Sequence, residues 1–426
     1  ENSFCDFPSL KEVNLHGQNV TIENDCFKNC PSLESFKVSG SRKVEVRSNQ
    51  FENCLNLKTI LVSVSHVRSD CILQLADFCF KHATNLSKIK FVGGSINIKK
   101  DLFVNAQATP NPLILAKGKQ DKCHLTELSI ENAINVTIDS GILNNCQELK
   151  KLCVSCKKLA IDDNCFNNNP ELEEVSFAVQ NLSIKSKCFN NCPSLVLKDI
   201  NADSVSFDSN DFCECQSLPK VKIISKSMIV FGNNCFKENK ELQEVKLFAS
   251  EITLGDQSFG HCSSLRKVDF GMYFARILNL FTFSQTSKPA FIDKIFIGNE
   301  AFCKCTDLEW LTIYAKESVD LQNRVFYNLK KLERIEIKIG SNDFKYGDKC
   351  FVGCPGASDL LSNPLSFANI DFSAISISNE DLKSEFESCR NLRQNGHIQK
   401  HYSRFNSFFV LGVEKDKNEA SIISMF

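Results

Sequence analysis

Cysteine offers the most chemistry in this chain, filling 22 of its 426 positions. A dense, even set of cysteines in a secreted chain reads as a disulfide framework. Their placement here argues otherwise. Eight of them (Cys30, Cys54, Cys146, Cys192, Cys215, Cys262, Cys305 and Cys354) stand three residues after a large apolar residue, and five more (Cys26, Cys165, Cys188, Cys235 and Cys350) directly precede a Phe. A disulfide scaffold needs no such register, whereas a repeated small core slot does. The in-register set therefore reads as a column of buried thiols acting as small hydrophobes. Equivalent cysteines one repeat apart would stand about 5 Å apart, a separation a disulfide tolerates, although parallel Cβ vectors oppose the bond. Cys5, Cys71, Cys123, Cys153, Cys156 and Cys389 fall out of register and are the better candidates for disulfides or exposed thiols.

Other chemistry finds little support. Cys213-x-Cys215 and Cys303-x-Cys305 share a spacing, but no histidine recurs with them to complete a zinc site. His397-x-x-x-His401 could put two imidazoles on one helix face, yet it lacks the Glu and third ligand of a zinc hydrolase and reads as a solvated turn beside Gly396. No Gly-x-Ser-x-Gly, P-loop or Gly-x-Gly-x-x-Gly occurs, and the carboxylates are dispersed. The sequence predicts no enzyme, no metal and no cofactor.

What positions the cysteines is a repeat. Phe27…Cys30…Leu33 recurs as Phe51…Cys54…Leu57, Phe189…Cys192…Leu195, Phe212…Cys215…Leu218, Phe259…Cys262…Leu265 and Phe302…Cys305…Leu308, with diluted copies such as Phe166…Asn169…Leu172 and Phe236…Asn239…Leu242. A period of 20 to 50 residues means a solenoid, propeller or array. Between signatures lie two short runs of period-2 alternation, for example Phe36-Lys-Val38 and Val44-Glu-Val46, the pattern of half-buried strands. Each coil is then two strands plus a Phe-x-x-Cys-x-x-Leu segment, read as a helical turn ending near Pro31, Pro170, Pro193 or Pro355. One coil cannot bury its own apolar edge, so about 14 coils stack at about 4.8 Å per step into one rod or shallow arc.

This signature, with Val-x-Phe and Ile-x-Ile strands and a period near 23, resembles the BspA-type leucine-rich repeats (the Treponema pallidum class) of protist and bacterial surface proteins. The likeness covers roughly residues 4–355, although the family's Ile-Pro…Val-Thr…Ile-Gly phrase is absent. It implies a repeat solenoid of parallel short strands used in adhesion or protein recognition, without catalytic machinery.

The rhythm breaks in three places. An insert at 104–122 is rich in turn formers. A second, at 271–292, is apolar and carries Tyr273 and Phe274. After 355 the signature survives only as Phe386…Cys389…Leu392, so 356–426 reads as a degenerate last repeat and C-terminal cap over the solenoid of 1–355.

With 42% apolar and 24% charged residues and a net charge of -1, the chain offers no electrostatic footprint for nucleic acid. No apolar run reaches the length of a membrane helix. Glu1 in place of an initiating Met fits a processed or trimmed start, and the first coil, opening at Phe4…Leu10, looks incomplete.

Recognition is where the sequence says most. Alternate positions of the first strands form a stripe of mixed charge (Glu12/Asn14, Lys88/Lys90, Lys220/Lys222, Lys267/Asp269, Arg334/Glu336), as on a solvated sheet. One coil departs from it with Trp310, Thr312 and Tyr314. Trp, Tyr and Arg dominate binding hot spots, so Trp310, Tyr314, Arg334, Tyr273 and Phe274 are the candidate partner-binding residues. The alternative is intramolecular, with the insert folded back over Trp310. Sequons at Asn19, Asn85, Asn135 and Asn181 are possible glycosylation sites at a frequency chance would supply. The expected function is a non-enzymatic recognition or adhesion module, secreted or on the cell surface, with an unidentified protein or host ligand. The alternative is an intracellular, cytoplasmic or cytoskeleton-associated structural scaffold with reduced thiols. Self-assembly is open to either.

Overall fold

The computed structural model describes residues 3–357 apart from 66–70, 78, 81–82, 84, 100–101, 103–123, 272–291 and 340–342. Tyr273, Phe274, Cys123, Cys389, His397, His401 and nearly all of the expected cap lie outside the described residues.

Among the described residues nineteen strands join in one sheet, and every pairing among them is parallel. Two columns of apolar residues run along it. The first passes Val13, Phe36, Ile60, Ile89, Leu128, Leu152 and Val175 in direct register. The second passes Leu182, Val205, Ile229, Ile252, Ile295 and Val319. All these residues except the first are almost wholly buried, because each rung covers the apolar edge of the next. Among the described residues thirteen rungs, from Glu12 to Arg334, make about twelve turns; Phe386, the last signature behind the expected total of about 14 coils, lies outside the described residues.

Two local expectations need correction. The two runs of a coil are not always separate strands. In Ser35–Val46, Lys151–Ile161, Lys220–Phe231 and Trp310–Leu321 a single strand passes the corner. The signature segment is also not helical. It consists of two successive tight turns, as when Cys54 N–H donates to Phe51 O (3.1 Å) and Leu57 N–H to Cys54 O (3.2 Å). A helix would turn its N–H groups onto its own carbonyls. Here they reach the next coil instead, Asn29 N–H to Glu52 O at 2.8 Å and Asn191 N–H to Cys213 O at 2.9 Å. The residue that aims them is left-handed, with φ of 58° at Asn29 and 54° at Asn191. Asparagine tolerates that region best after glycine, which accounts for its abundance in the turns.

Behind the turns the signature phenylalanines stack. Phe189 and Phe212 have ring centroids 5.0 Å apart, Phe236 and Phe259 5.3 Å, and Phe302 and Phe326 5.2 Å, with planes within 11° of parallel. The spacing is that of the strands, so the spine and the sheet advance together.

The cysteine column has a function the sequence did not disclose. Each thiol donates to the carbonyl of the signature residue one coil earlier: Cys54 Sγ to Phe27 O at 2.9 Å, Cys215 Sγ to Phe189 O at 3.2 Å, Cys305 Sγ to Phe259 O at 3.1 Å. Where asparagine replaces cysteine the bond persists, Asn169 Nδ2 to Leu143 O and Asn239 Nδ2 to Phe212 O, both at 2.9 Å. In these coils the slot holds a small donor for a buried carbonyl, whereas Ala83 and Leu329, which cannot donate, fill it in two others. Nineteen described cysteines are thiols. Cys146, an in-register cysteine, is the one described residue in a disulfide; of the off-register cysteines expected to form disulfides or stand as exposed thiols, Cys5 and Cys153 are half-buried thiols and Cys71 and Cys156 are buried ones.

Candidate recognition surface

The outward face of the first column is mostly a set of ion pairs between neighbouring rungs. Lys88 pairs with Glu127 (3.1 Å), Lys90 with Glu131 (2.7 Å), Lys151 with Glu174 (3.7 Å), and Asp199 with both Lys220 (2.8 Å) and Lys222 (2.9 Å). Pairs this exposed add little stability and leave an ordinary solvated surface.

The rung Trp310–Leu321 differs. Register places Lys267, Trp310 and Arg334 side by side on successive rungs. Lys267 Nζ lies 4.7 Å from the indole centroid on one side and Arg334 Cζ 5.4 Å on the other. Both ring faces are occupied by cations, so the indole stands edge-on to solvent, 37% exposed. A cation over an indole face is worth about 0.5–1 kcal/mol at such sites, which holds the side chain in one orientation before any partner arrives.

Two outward positions along the strand, Tyr314 is half-buried. Its hydroxyl donates to Glu336 Oε1, and its ring occupies the space left by Gly271, where a Cβ would lie 2.7 Å from Tyr314 Cδ2. Burial, then the Glu336 carboxylate, pushes the phenol pKa up. Between the two aromatics the stripe is not solvent-facing as expected, since Thr312 and Asp269 are buried. Burial also raises the Asp269 pKa, with Lys267 and Lys246 opposing it.

Trp310, Tyr314 and Arg334 thus share one surface. Lys267 belongs with them, and the signal for it was present: it occupies Trp310's position one coil earlier. The insert containing Tyr273 and Phe274 leaves the rung next to Trp310, after Phe270, and returns at Ile292. Of the sequon asparagines, Asn19, Asn85 and Asn135 are exposed, whereas Asn181 Oδ1 accepts from Ser204 Oγ at 2.8 Å. Among the described residues no group of three or more His, Cys, Asp or Glu side chains is arranged to hold a metal, and no helix is long and apolar enough to cross a membrane.

Solved structures that match the chain include a leucine-rich cell surface protein from Faecalibacterium prausnitzii (16% identity, 79% of this chain and 93% of that one, TM-score 0.26). Others are leucine-rich repeat proteins from Bacteroides ovatus (17%, 80% and 85%, TM-score 0.35) and Eubacterium ventriosum (11%, 79% and 88%, TM-score 0.28). No curated protein sequence matches the chain. The family profile described as the BspA type leucine-rich repeat region matches residues 1–111, 120–219, 159–289 and 279–394. A match over most of the chain, on a parallel solenoid with this turn signature, places the protein in the BspA-type leucine-rich repeat family.

Proposed function

We propose that the protein is a non-enzymatic recognition or adhesion module whose partner docks on the first-column face around Trp310, Tyr314 and Arg334, with Tyr273 and Phe274 of the neighbouring insert contributing. The observation that carries this reading is the preorganised indole. The only Trp of the chain is exposed on a rigid strand and clamped by Lys267 and Arg334, so little side-chain entropy is lost on binding. The solenoid to about residue 355 is the scaffold and 356–426 its cap. Trp310→Ala in the full chain tests the site: intact folding with partner capture from a protein array reduced at least tenfold supports it, whereas a large loss of stability with unchanged capture sinks it.

Secretion or surface display is part of the proposal and predicts disulfides in protein from its native source, since these persist in oxidising compartments. Nineteen thiols favour the second reading, an intracellular structural scaffold. Non-reducing mass spectrometry of protein from its native source separates the two. A retained disulfide with glycan at Asn19, Asn85 or Asn135 fits the first; complete reduction without glycan fits the second.

A further inference from the structure

The turn after the second column changes character in the last coils. Glycine stands at 232, 255, 298 and 347, where earlier coils carry Glu23, Arg47, Asp162, Lys185 and Asp208. An Asn or Asp follows each glycine, and Asn323 follows Gln322 at the equivalent place. Their side-chain oxygens form a ladder, each accepting the backbone N–H of its counterpart one coil on. Asp256 N–H donates to Asn233 Oδ1 (2.8 Å), Asn299 N–H to Asp256 Oδ1 (2.7 Å), Asn323 N–H to Asn299 Oδ1 (3.1 Å) and Asp348 N–H to Asn323 Oδ1 (2.8 Å). The glycines make room for it, since a Cβ on Gly255 or Gly298 would lie 2.6 Å from the ladder oxygen below. Next to the ladder runs a row of left-handed residues, among them Gln257, Glu300 and Arg324.

Between the two rows lie two cavities of about 430 and 360 Å³ that share Asn299 and Glu300 and so form one groove along the solenoid axis. Its charged lining is Lys237, Asp256, Glu300, Arg324, Asp348 and Lys349, three of each sign. A polyphosphate needs a cationic surface and a hard cation needs a cage of oxygen ligands, and this groove offers neither. It offers interleaved amide, ammonium, guanidinium and carboxylate groups fixed at the coil step of about 4.8 Å. An extended peptide rises about 3.3 Å per residue and falls out of step with that spacing. One sugar residue of an extended glycan keeps close to it and presents hydroxyls that both donate and accept.

We propose that this groove binds a linear, neutral, hydroxyl-rich glycan lengthwise, one sugar residue per coil, at a site separate from Trp310. The test is calorimetric titration of the full chain with cellohexaose and xylohexaose, extended neutral oligosaccharides, and with dextran sulfate as the anionic probe. Expected are binding of at least one hexaose, affinity that grows from two to five sugar units, and less than a twofold change between 50 and 500 mM salt. Arg324→Gly and Glu300→Gly keep the left-handed turn and should each weaken binding at least fivefold. Asn323→Asp, which retains the ladder oxygen and removes the NH₂ donor, should do the same without changing the melting temperature. Trp310→Ala should leave glycan binding unchanged, so this site can stand or fall apart from the partner-binding face. Failure of both hexaoses to bind, binding of dextran sulfate alone, or hexaose binding indifferent to all three groove variants would overturn the proposal.

Discussion

The thiol of Cys54 donates to the carbonyl of Phe27, one coil back, at 2.9 Å, and both residues are buried. The same bond recurs at Cys215 with Phe189. Cys215→Ala should therefore cost about 1 kcal/mol, the typical net worth of a hydrogen bond, beyond the small loss of buried sulfur area. Cys215→Asn should recover part of this, because Asn239 fills that slot one coil on. Urea unfolding of the two variants checks the order. If Ala proves as stable as Cys and Asn proves worse, the slot is apolar after all.

The stacked phenylalanines carry much more. Phe236 lies between Phe212 and Phe259 at 5.3 Å from each and is fully buried. Phe236→Ala should destabilise by about 3–5 kcal/mol, well above the cysteine variants in the same assay.

Asp211 gives the molecule a pH dependence of defined sign. It sits where Cys188 and Cys235 sit in the flanking coils, and its Oδ1 accepts Cys188 N–H at 2.7 Å. Its Oδ2 is buried without a hydrogen-bond partner. Burial, reinforced by the nearby Asp208 and Asp163 carboxylates, pushes its pKa up to about 9. The unfolded carboxyl titrates near 4, so between about pH 4 and pH 9 the folded state holds a proton that the unfolded state has lost. Stability from this group is complete below pH 4 and is lost as pH rises to about 9, with no further change above. Asp211→Asn should remove that slope. Melting temperatures from pH 4 to 9 should show the variant's advantage growing with pH; parallel curves would mean the carboxyl ionises freely in the fold.

Thiol reactivity should follow burial. The buried Cys54 and Cys192 have pKa values pushed up to about 12 by desolvation, and Cys215 is raised well beyond the ordinary thiol range by the same cause. Cys153 and Cys303 are only half-buried. Among the described thiols, alkylation at pH 8 followed by peptide mapping should label Cys153 and the equally half-buried Cys5 first, Cys303, whose thiol pKa burial raises, more slowly, and Cys54, Cys192 and Cys215 only on unfolding. Early labelling of the column would contradict the packing.

The sole Trp makes the clamp around it directly observable. Lys267→Ala or Arg334→Ala uncovers one face of the Trp310 ring, and each should shift emission to longer wavelength and increase acrylamide quenching with little change in melting temperature. Unchanged spectra in both variants would show that the cations do not cover the ring in solution.

The sequence by itself determined the repeat, the two strand columns, the phenylalanine spine and the family, because those follow from apolar residues recurring at a fixed period, and stacking is how a short coil can bury them. It also marked Trp310, by breaking a polar stripe. Tertiary structure decided what depends on the neighbouring coil. The signature segment is two turns because left-handed residues such as Asn29 send their N–H groups to the next coil, a preference no local pattern distinguishes from a helical turn. Cysteine proved to be a donor as well as a space-filler because its acceptor lies about one repeat back in the chain, and Trp310 proved to be clamped because Lys267 and Arg334 become its neighbours only when coils stack. The glycine and asparagine ladder has the same origin: residues more than twenty positions apart in sequence meet at the coil step, and that contact sets the groove between them.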